Sequence, residues 1–410
     1  MGALSDIKVL DLTRLLPGGF CSLLLADLGA DVVKVEDTGG GDYVRWAPPY
    51  YGSEDDHALG TRSALYLALN RGKRSIRIDL KSQGGRAAFL RLVPQYDVVL
   101  ESFRPGVLDR LGVGYRVLRE INPRLVYCAI TGYGQTGPNT QRAGHDTNYL
   151  ALGGLLGLTG RPDGPPIQSA GQIADVGGGA LMAAFGVMAA LHERARSGQG
   201  QQVDASMTDG ALSWLALVAA RYFCDRVVPG RGDLELAGGM LCYYPYEASD
   251  GWVSCGALEP KFWQAFCGGV DRPDLVEKQF QRPGSDAWRE VADVFRSRSR
   301  EEWRAFNDEH DCCIEPILDL DEALQSELVR EREMVVELEQ PGLGVVRQLG
   351  VPVKLSRTPG AAERAAPALG EHTEVVLSEA GLGPDEIAEL TRSGAVAGPN
   401  RAAKQERFVA

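Results

Sequence analysis

Three side chains in this chain have the type and setting for proton transfer or acyl chemistry: His145, Asp175 and Glu259. His145 lies in Arg142-Ala143-Gly144-His145-Asp146-Thr147-Asn148-Tyr149, a polar island just after Gly132-Tyr133-Gly134-Gln135-Thr136-Gly137-Pro138. Histidine exchanges a proton near neutral pH, so it can act as acid or base, although a single histidine at a helix start also serves structure alone. Asp175 stands between Ala174 and Val176-Gly177-Gly178-Gly179 at the front of an apolar run. A carboxylate there can cap the helix by accepting its free N–H groups. The glycine triplet weakens a first turn unless backbone must come close to a neighbouring chain or a bound acyl group. Its N–H groups also offer donors to a developing oxyanion. Glu259 precedes Pro260 at the mouth of another helix, where taken singly it reads as a cap.

Two basic elements are candidates for holding an anion. Asn70-Arg71-Gly72-Lys73-Arg74 precedes the third predicted strand, and Phe103-Arg104-Pro105-Gly106 follows the fourth. Ligands of open α/β sheets gather beyond the carboxyl ends of the strands, which favours Arg104; the 71–74 cluster reads by itself as solvated surface charge. The loop after the first strand, Thr13-Arg14-Leu15-Leu16-Pro17-Gly18-Gly19, lacks GxGxxG, so a nicotinamide dinucleotide is not expected. Adjacent Cys312-Cys313 has neither a partner histidine nor a CxxC pattern and reads as structural burial. No metal-ligand spacing is present, so neither metal nor resident cofactor is expected.

Short Val/Ile-rich runs alternate with helical patterns through the first 130 residues, which predicts a parallel α/β sheet. Strands are expected at Ile7–Leu12, Asp31–Glu36, Ser75–Leu80, Tyr96–Glu101 and Leu125–Ile130, with helices up to Leu28, at Gly84–Leu92 and at Tyr115–Ile121. Asp175–Glu193 is almost entirely small or apolar and predicts a helix buried nearly all round. A strand at Gln202–Ala205 and a helix at Ala211–Phe223 follow, then a Pro- and Gly-containing linker at 229–239. Leu241–Ala248 and Trp252–Leu258 flank the turn Ser249-Asp250-Gly251 as a hairpin, and Pro260 starts a helix. The expected division is a large domain over 1–225, a small domain over 226–341, a return to the large domain over 342–395, and a fraying tail over 396–410.

The net charge of −12, from 55 acidic and 43 basic residues, argues against a nucleic-acid partner but leaves room for local basic clusters. The eight cysteines fit buried thiols in a reducing compartment. Lys8 and Asp11 interrupt the first apolar run, and Leu181–Leu191 is too short to span a bilayer. A cytoplasmic protein without a membrane partner is the expectation.

Several of these segments together resemble the class III CoA transferase superfamily, which contains formyl-CoA transferases and α-methylacyl-CoA racemases. They are Leu28-Gly-Ala-Asp-Val-Val-Lys-Val-Glu36, Asn70-Arg-Gly-Lys-Arg-Ser75, Phe103-Arg-Pro-Gly106, Ile130-Thr-Gly-Tyr-Gly-Gln-Thr-Gly-Pro138 and Leu369-Gly-Glu-His-Thr-Glu-Val-Val376. The resemblance implies a Rossmann-like large domain built from both ends of the chain, a smaller inserted α+β domain, and an interlocked homodimer. It implies an acyl-CoA substrate whose CoA moiety meets Arg104, Arg71, Lys73, Arg74, Tyr133 and Gly134. Gly144-His-Asp-Thr-Asn-Tyr149, Ala174-Asp175 before its glycines, and Gly256-Ala-Leu-Glu-Pro-Lys-Phe262 look most like a racemase. On that likeness His145 and Asp175 exchange the Cα proton of a 2-methylacyl-CoA on opposite faces of an enolate, interconverting the 2R and 2S thioesters, and Glu259 tunes His145. Leu10-Asp-Leu-Thr-Arg-Leu-Leu-Pro-Gly18 is as similar to a transferase, in which Asp175 is the nucleophile that moves CoA to a free carboxylic acid. A racemase exchanges Cα hydrogen with no acceptor acid, a transferase requires that acid, and a non-catalytic acyl-CoA-binding protein does neither.

Overall fold

The Val/Ile runs form one seven-stranded sheet in the computed structural model, which describes residues 2–52 and 60–399. Its strands are β1 (Lys8–Asp11), β2 (Asp31–Glu36), β3 (Arg74–Ile78), β4 (Val98–Glu101), β5 (Val126–Thr131), β6 (Gln202–Ser206) and β12 (Val396–Ala397), in the order β12-β3-β2-β1-β4-β5-β6. All pairings are parallel except that of β12 on β3. Strands buried on both faces explain the unbroken apolar runs, since each fully buried Val, Ile or Leu contributes about 1.5–3 kcal/mol. Order reverses between β1 and β4, the point at which a doubly wound sheet opens a crevice at its carboxyl edge.

Four helices matter for the site: α1 (Leu15–Asp27), α2 (Asp146–Leu152), α3 (a π-helical stretch Ile173–Leu181 continued by an α-helix Met182–Ser197) and α4 (Met207–Ser213); a further helix, α5 (Pro260–Gly269), follows Glu259. On α3, Ala180, Ala183, Val187 and Ala190 enter the core, but Leu181, Met182, Phe185 and Met188 stay exposed. The expected burial all round is thus absent in the single chain. This 25-residue helix is long and apolar enough to cross a membrane, with mean hydropathy 1.6, yet its inner face packs in a protein core with β1, β4 and β5.

The chain divides into two compact units. The first comprises Met1–Gly153, Ser169–Trp214 and Leu328–Ala410; the second comprises Gly154–Gln168 and Leu215–Glu327. The return to the first unit begins at 328 and not 342, because β10 (Val335–Gln340) pairs residue for residue with β11 (Gly344–Leu349). The stretches 154–168 and 215–225 likewise group with the second unit. Val396 and Ala397 are buried in the sheet, so the expected tail is ordered there; residues 400–410 lie outside the described residues. Helix Ala211–Phe223 is instead two segments, α4 and Ala216–Asp225.

The second unit folds around an antiparallel sheet of β7 (Tyr243–Ala248), β8 (Gly251–Gly256) and β9 (Ile314–Pro316). Gly251 takes φ +156° opposite Ala248, making the hairpin turn at the predicted place. Its core is aromatic: Phe295 stacks on Tyr246 at 4.3 Å and on Phe266 at 5.2 Å. Pro260 opens α5 at its first position. All eight cysteines are free thiols, and burial pushes Cys312 up to about 12, consistent with a structural role.

Candidate active site

A cavity of about 590 Å³ opens in the first unit at the carboxyl edge, where β1 and β4 meet. It is built from the turns after β1 (Arg14–Pro17), β4 (Ser102–Pro105) and β5 (Gly132–Tyr133), the loop carrying Arg142–His145, and Asp175 at the start of α3.

The turn after β1 is tightly held. Leu15 takes φ +62°, a left-handed conformation that costs a non-glycine residue about 1–2 kcal/mol. Leu15 N donates to Asp42 Oδ1 at 3.1 Å, Lys34 Nζ donates to Thr13 O at 3.0 Å, and Arg14 N donates to Ser102 Oγ at 3.1 Å. Lys34 and Asp42 are themselves paired at 2.8 Å and fully buried. The Arg14 guanidinium donates to Asp37 Oδ2 at 2.8 Å and Tyr43 Oη at 2.9 Å, and lies 5.0 Å from the centre of the Tyr43 ring.

Arg104 and Arg142 line the same cavity, are exposed, and have no ion-pair partner among the described residues. Gln141 Nε2 donates to Pro105 O at 3.1 Å, tying together the two loops that carry them. The 71–74 cluster is different. Arg71 is buried against Asp27 at 2.6 Å, Lys73 is buried beside Ser22, Asn70 and Asp11, and Arg74 pairs with Asp31 and Glu379. Arg71 and Lys73 are thus matched inside the fold and Arg74 is paired nearer the surface, so none of the three is an unpaired solvated charge. Burial, opposed by Asp11, lowers Lys73 to about 8.

His145 and Asp175 both line the cavity. His145 is exposed and heads α2, where its backbone N–H donates to Asn148 Oδ1 at 3.0 Å. Tyr149 packs edge to face on Tyr133 at 5.2 Å, and its hydroxyl donates to Gly144 O. A Cβ at Gly132 would stand 2.3 Å from the Tyr149 ring, and one at Gly144 2.6 Å, so both positions need glycine. Gly134 takes φ +81°, and Gln135 N next to it donates to Asp204 Oδ2 at 2.9 Å.

Asp175 is not the helix cap; Gln172 is, in a left-handed conformation. Asp146, which is buried, accepts the N–H groups of Ala174 at 2.7 Å and Asp175 at 3.0 Å through Oδ1. Val176 N donates to Gln172 O. The N–H groups of Ala174, Asp175 and Val176 are already used and are not free to meet an oxyanion. The triplet serves packing instead: a Cβ at Gly178 would stand 2.6 Å from Met207 O, and one at Gly177 2.2 Å from the Trp214 ring. Burial, and behind it the charge of Asp146, pushes the Asp175 carboxyl up to about 6.

Glu259 belongs to the second unit, exposed at the head of α5. The cavity therefore brings His145, Asp175, Arg104 and Tyr133 together, while Glu259 is positioned by a different unit. Arg14, Arg142 and Asp146 were not singled out from the sequence. Arg14 follows a strand at the switch point as Arg104 does, so the rule that selected one selects the other. No group of three or more His, Cys, Asp or Glu residues that could hold a metal ion occurs among the described residues.

Known proteins match this chain over nearly its whole length. Succinyl-CoA:mesaconate CoA-transferase of Haloarcula hispanica is 37% identical over 400 residues, covering 93% of this chain and 98% of its own. Alpha-methylacyl-CoA racemase of Mus musculus is 35% identical over 391 residues, covering 94% and 96%. A CAIB/BAIF family protein from Brucella suis has a solved structure with TM-score 0.79 and 30% identity, covering 92% of this chain and 99% of that one. The profile of CoA-transferase family III matches residues 4–373, and the chain belongs to that family.

Proposed function

We propose that this protein is a CoA transferase that moves CoA from an acyl-CoA thioester to a free carboxylic acid, with Asp175 as its nucleophile. The observation that carries acyl-CoA chemistry here is Asp175 itself, which transfer and racemisation would both use, and the transferase relatives favour transfer. The Asp175 carboxyl lines the switch-point cavity and is pushed up to about 6 by burial and Asp146, which makes it more basic than an ordinary aspartate while leaving its ionised form accessible at neutral pH. Arg104 and Arg142, which have no ion-pair partner among the described residues, give the cavity positive charge for the phosphates of CoA, in a chain whose net charge is −12. A transferase relative of 37% identity supports the same choice.

The steps balance without a cofactor. The Asp175 carboxylate attacks the thioester carbonyl and expels CoA thiolate, leaving a mixed anhydride. The thiolate attacks the aspartyl carbonyl, releasing the donor acid and leaving an Asp175 thioester. The acceptor carboxylate attacks that thioester to form a second anhydride, and the thiolate takes the acceptor acyl group, restoring Asp175. Asp146 fixes the backbone of the nucleophile through two N–H groups, so the carboxylate is held and not searching.

A second reading, α-methylacyl-CoA racemisation, is favoured by one observation: His145 lines the same cavity as Asp175, so an acid and a base are available together. Incubation of one 2-methylacyl-CoA epimer in deuterated water, with and without acceptor acids, separates the two. New thioester formed only with acceptor supports transfer; epimerisation with Cα deuterium and no acceptor supports racemisation and overturns transfer. We also propose assembly with a second copy, supported by the large exposed apolar side chains Phe185, Leu217 and Phe223.

A further inference from the structure

We propose that the buried Lys34–Asp42 pair is a positioning device that sets the Thr13–Leu15 turn so that Arg14 and Leu15 face the ligand. The inference rests on the switch-point cavity being the CoA-thioester site.

Three consecutive residues have their backbone polar groups taken by side chains from three other places. Thr13 O receives Lys34 Nζ from β2, Leu15 N gives to Asp42 Oδ1 from the loop after β2, and Arg14 N gives to Ser102 Oγ from the turn after β4. Between the first two contacts Leu15 holds φ +62°, which a leucine does not adopt unless its surroundings impose it. Lys34 and Asp42 are the groups that impose it, and they are joined to each other at 2.8 Å with side-chain exposures of 0% and 1%. A buried ion pair is a poor source of stability compared with an apolar pair of similar volume. What this pair supplies, and an apolar pair cannot, is a donor for one end of the turn and an acceptor for the other.

The turn belongs to the site. Arg14, Leu15 and Leu16 all line the cavity, and the Arg14 guanidinium is fixed there by Asp37 and Tyr43. Asp42 itself also starts the short helix Tyr43–Trp46 by accepting from Val44 N at 3.1 Å. One carboxylate thus fixes both Leu15, in the turn, and the segment that presents Tyr43 to Arg14.

The test uses the full chain and acetyl-CoA as the probe. The double variant Lys34→Met/Asp42→Leu removes both charges together, so no unpaired ion remains buried. It is expected to unfold within a few degrees of the wild-type Tm while binding acetyl-CoA about 10-fold or more weakly, as loss of charge-assisted contacts at Arg14 implies. In a Leu15→Gly background, where the left-handed turn no longer needs enforcement, the same double replacement is expected to weaken binding several-fold less. Should the double variant fail to fold, Asp42→Asn, which keeps an oxygen for Leu15 N, and Asp42→Ala, which does not, take its place; Asp42→Ala is expected to weaken binding more. Undiminished binding in the folded double variant overturns the proposal. So does equal weakening with and without the Leu15→Gly replacement, or equal effects of the two single Asp42 variants. Failure of the wild type to bind acetyl-CoA refutes the site reading itself and is seen before any variant is made.

Discussion

Replacing Asp175 by asparagine is expected to make the protein more stable and inactive. Burial and the charge of Asp146 raise the Asp175 carboxyl from 3.8 to about 6. The folded state therefore binds this proton more tightly than the unfolded chain. Stability contributed by the group falls as pH rises through the window from about 4 to 6, and the cost is fully present above it. Its ceiling is about 3 kcal/mol, and about 1–3 kcal/mol is expected because the side chain is only partly enclosed. Asparagine keeps the shape and removes the ionisation. Urea unfolding of both proteins at one concentration, at pH 8 and at about pH 4, measures the difference. The variant is expected to lead by about 1–3 kcal/mol at pH 8 and to lose most of that lead at about pH 4, with CoA transfer abolished. A variant less stable than wild type at pH 8, or with the same lead at both pH values, refutes the reasoning that a functional carboxylate is held here against its own stability.

Further expectations follow from the same contacts. Asp146→Asn retains an oxygen for Ala174 N and Asp175 N but removes a charge whose share of the Asp175 shift is smaller than that of burial; the acid limb of the rate profile should move down by less than about one pH unit. Gly178→Ala forces a methyl to within 2.6 Å of Met207 O and should destabilise the protein by about 1–3 kcal/mol, measured by thermal unfolding, with a larger loss of activity because Asp175 lies one turn earlier. Arg104→Ala and Arg142→Ala should each raise KM for the acyl-CoA about 10-fold and flatten its dependence on salt, read from initial rates at several ionic strengths.

Much of the fold was legible because its signals are local. Asp31–Glu36 and Tyr115–Ile121 fall where apolar periodicity and turn residues place them. What escaped depends on distant partners. Val396–Ala397 is too short to show a period and becomes a strand only through β3. Arg71 and Arg74 look like surface cations until Asp27, Asp31 and Glu379 arrive from other parts of the chain. The glycines behind Asp175 announced a close approach, but not that α4 and Trp214 would be what approaches. Likewise Asp146, adjacent to the selected His145, gives no sign in sequence that it will hold the backbone of residue 175. Arg104 lines the cavity because its place after β4 follows from topology, a property the sheet order preserves.

The central claim, that Asp175 is acylated during CoA transfer, is tested most directly by oxygen-18. One oxygen of the acceptor acid bridges the second anhydride and stays with Asp175 when thiolate takes the acyl group. Turnover with an oxygen-18-labelled carboxylic acid and an acyl-CoA donor, followed by peptide mass spectrometry, is therefore predicted to place the label in the side chain of Asp175, and in no peptide of the Asp175→Asn variant. Formation of the new thioester without label at Asp175, or Cα deuterium exchange with no transfer at all, would contradict the account.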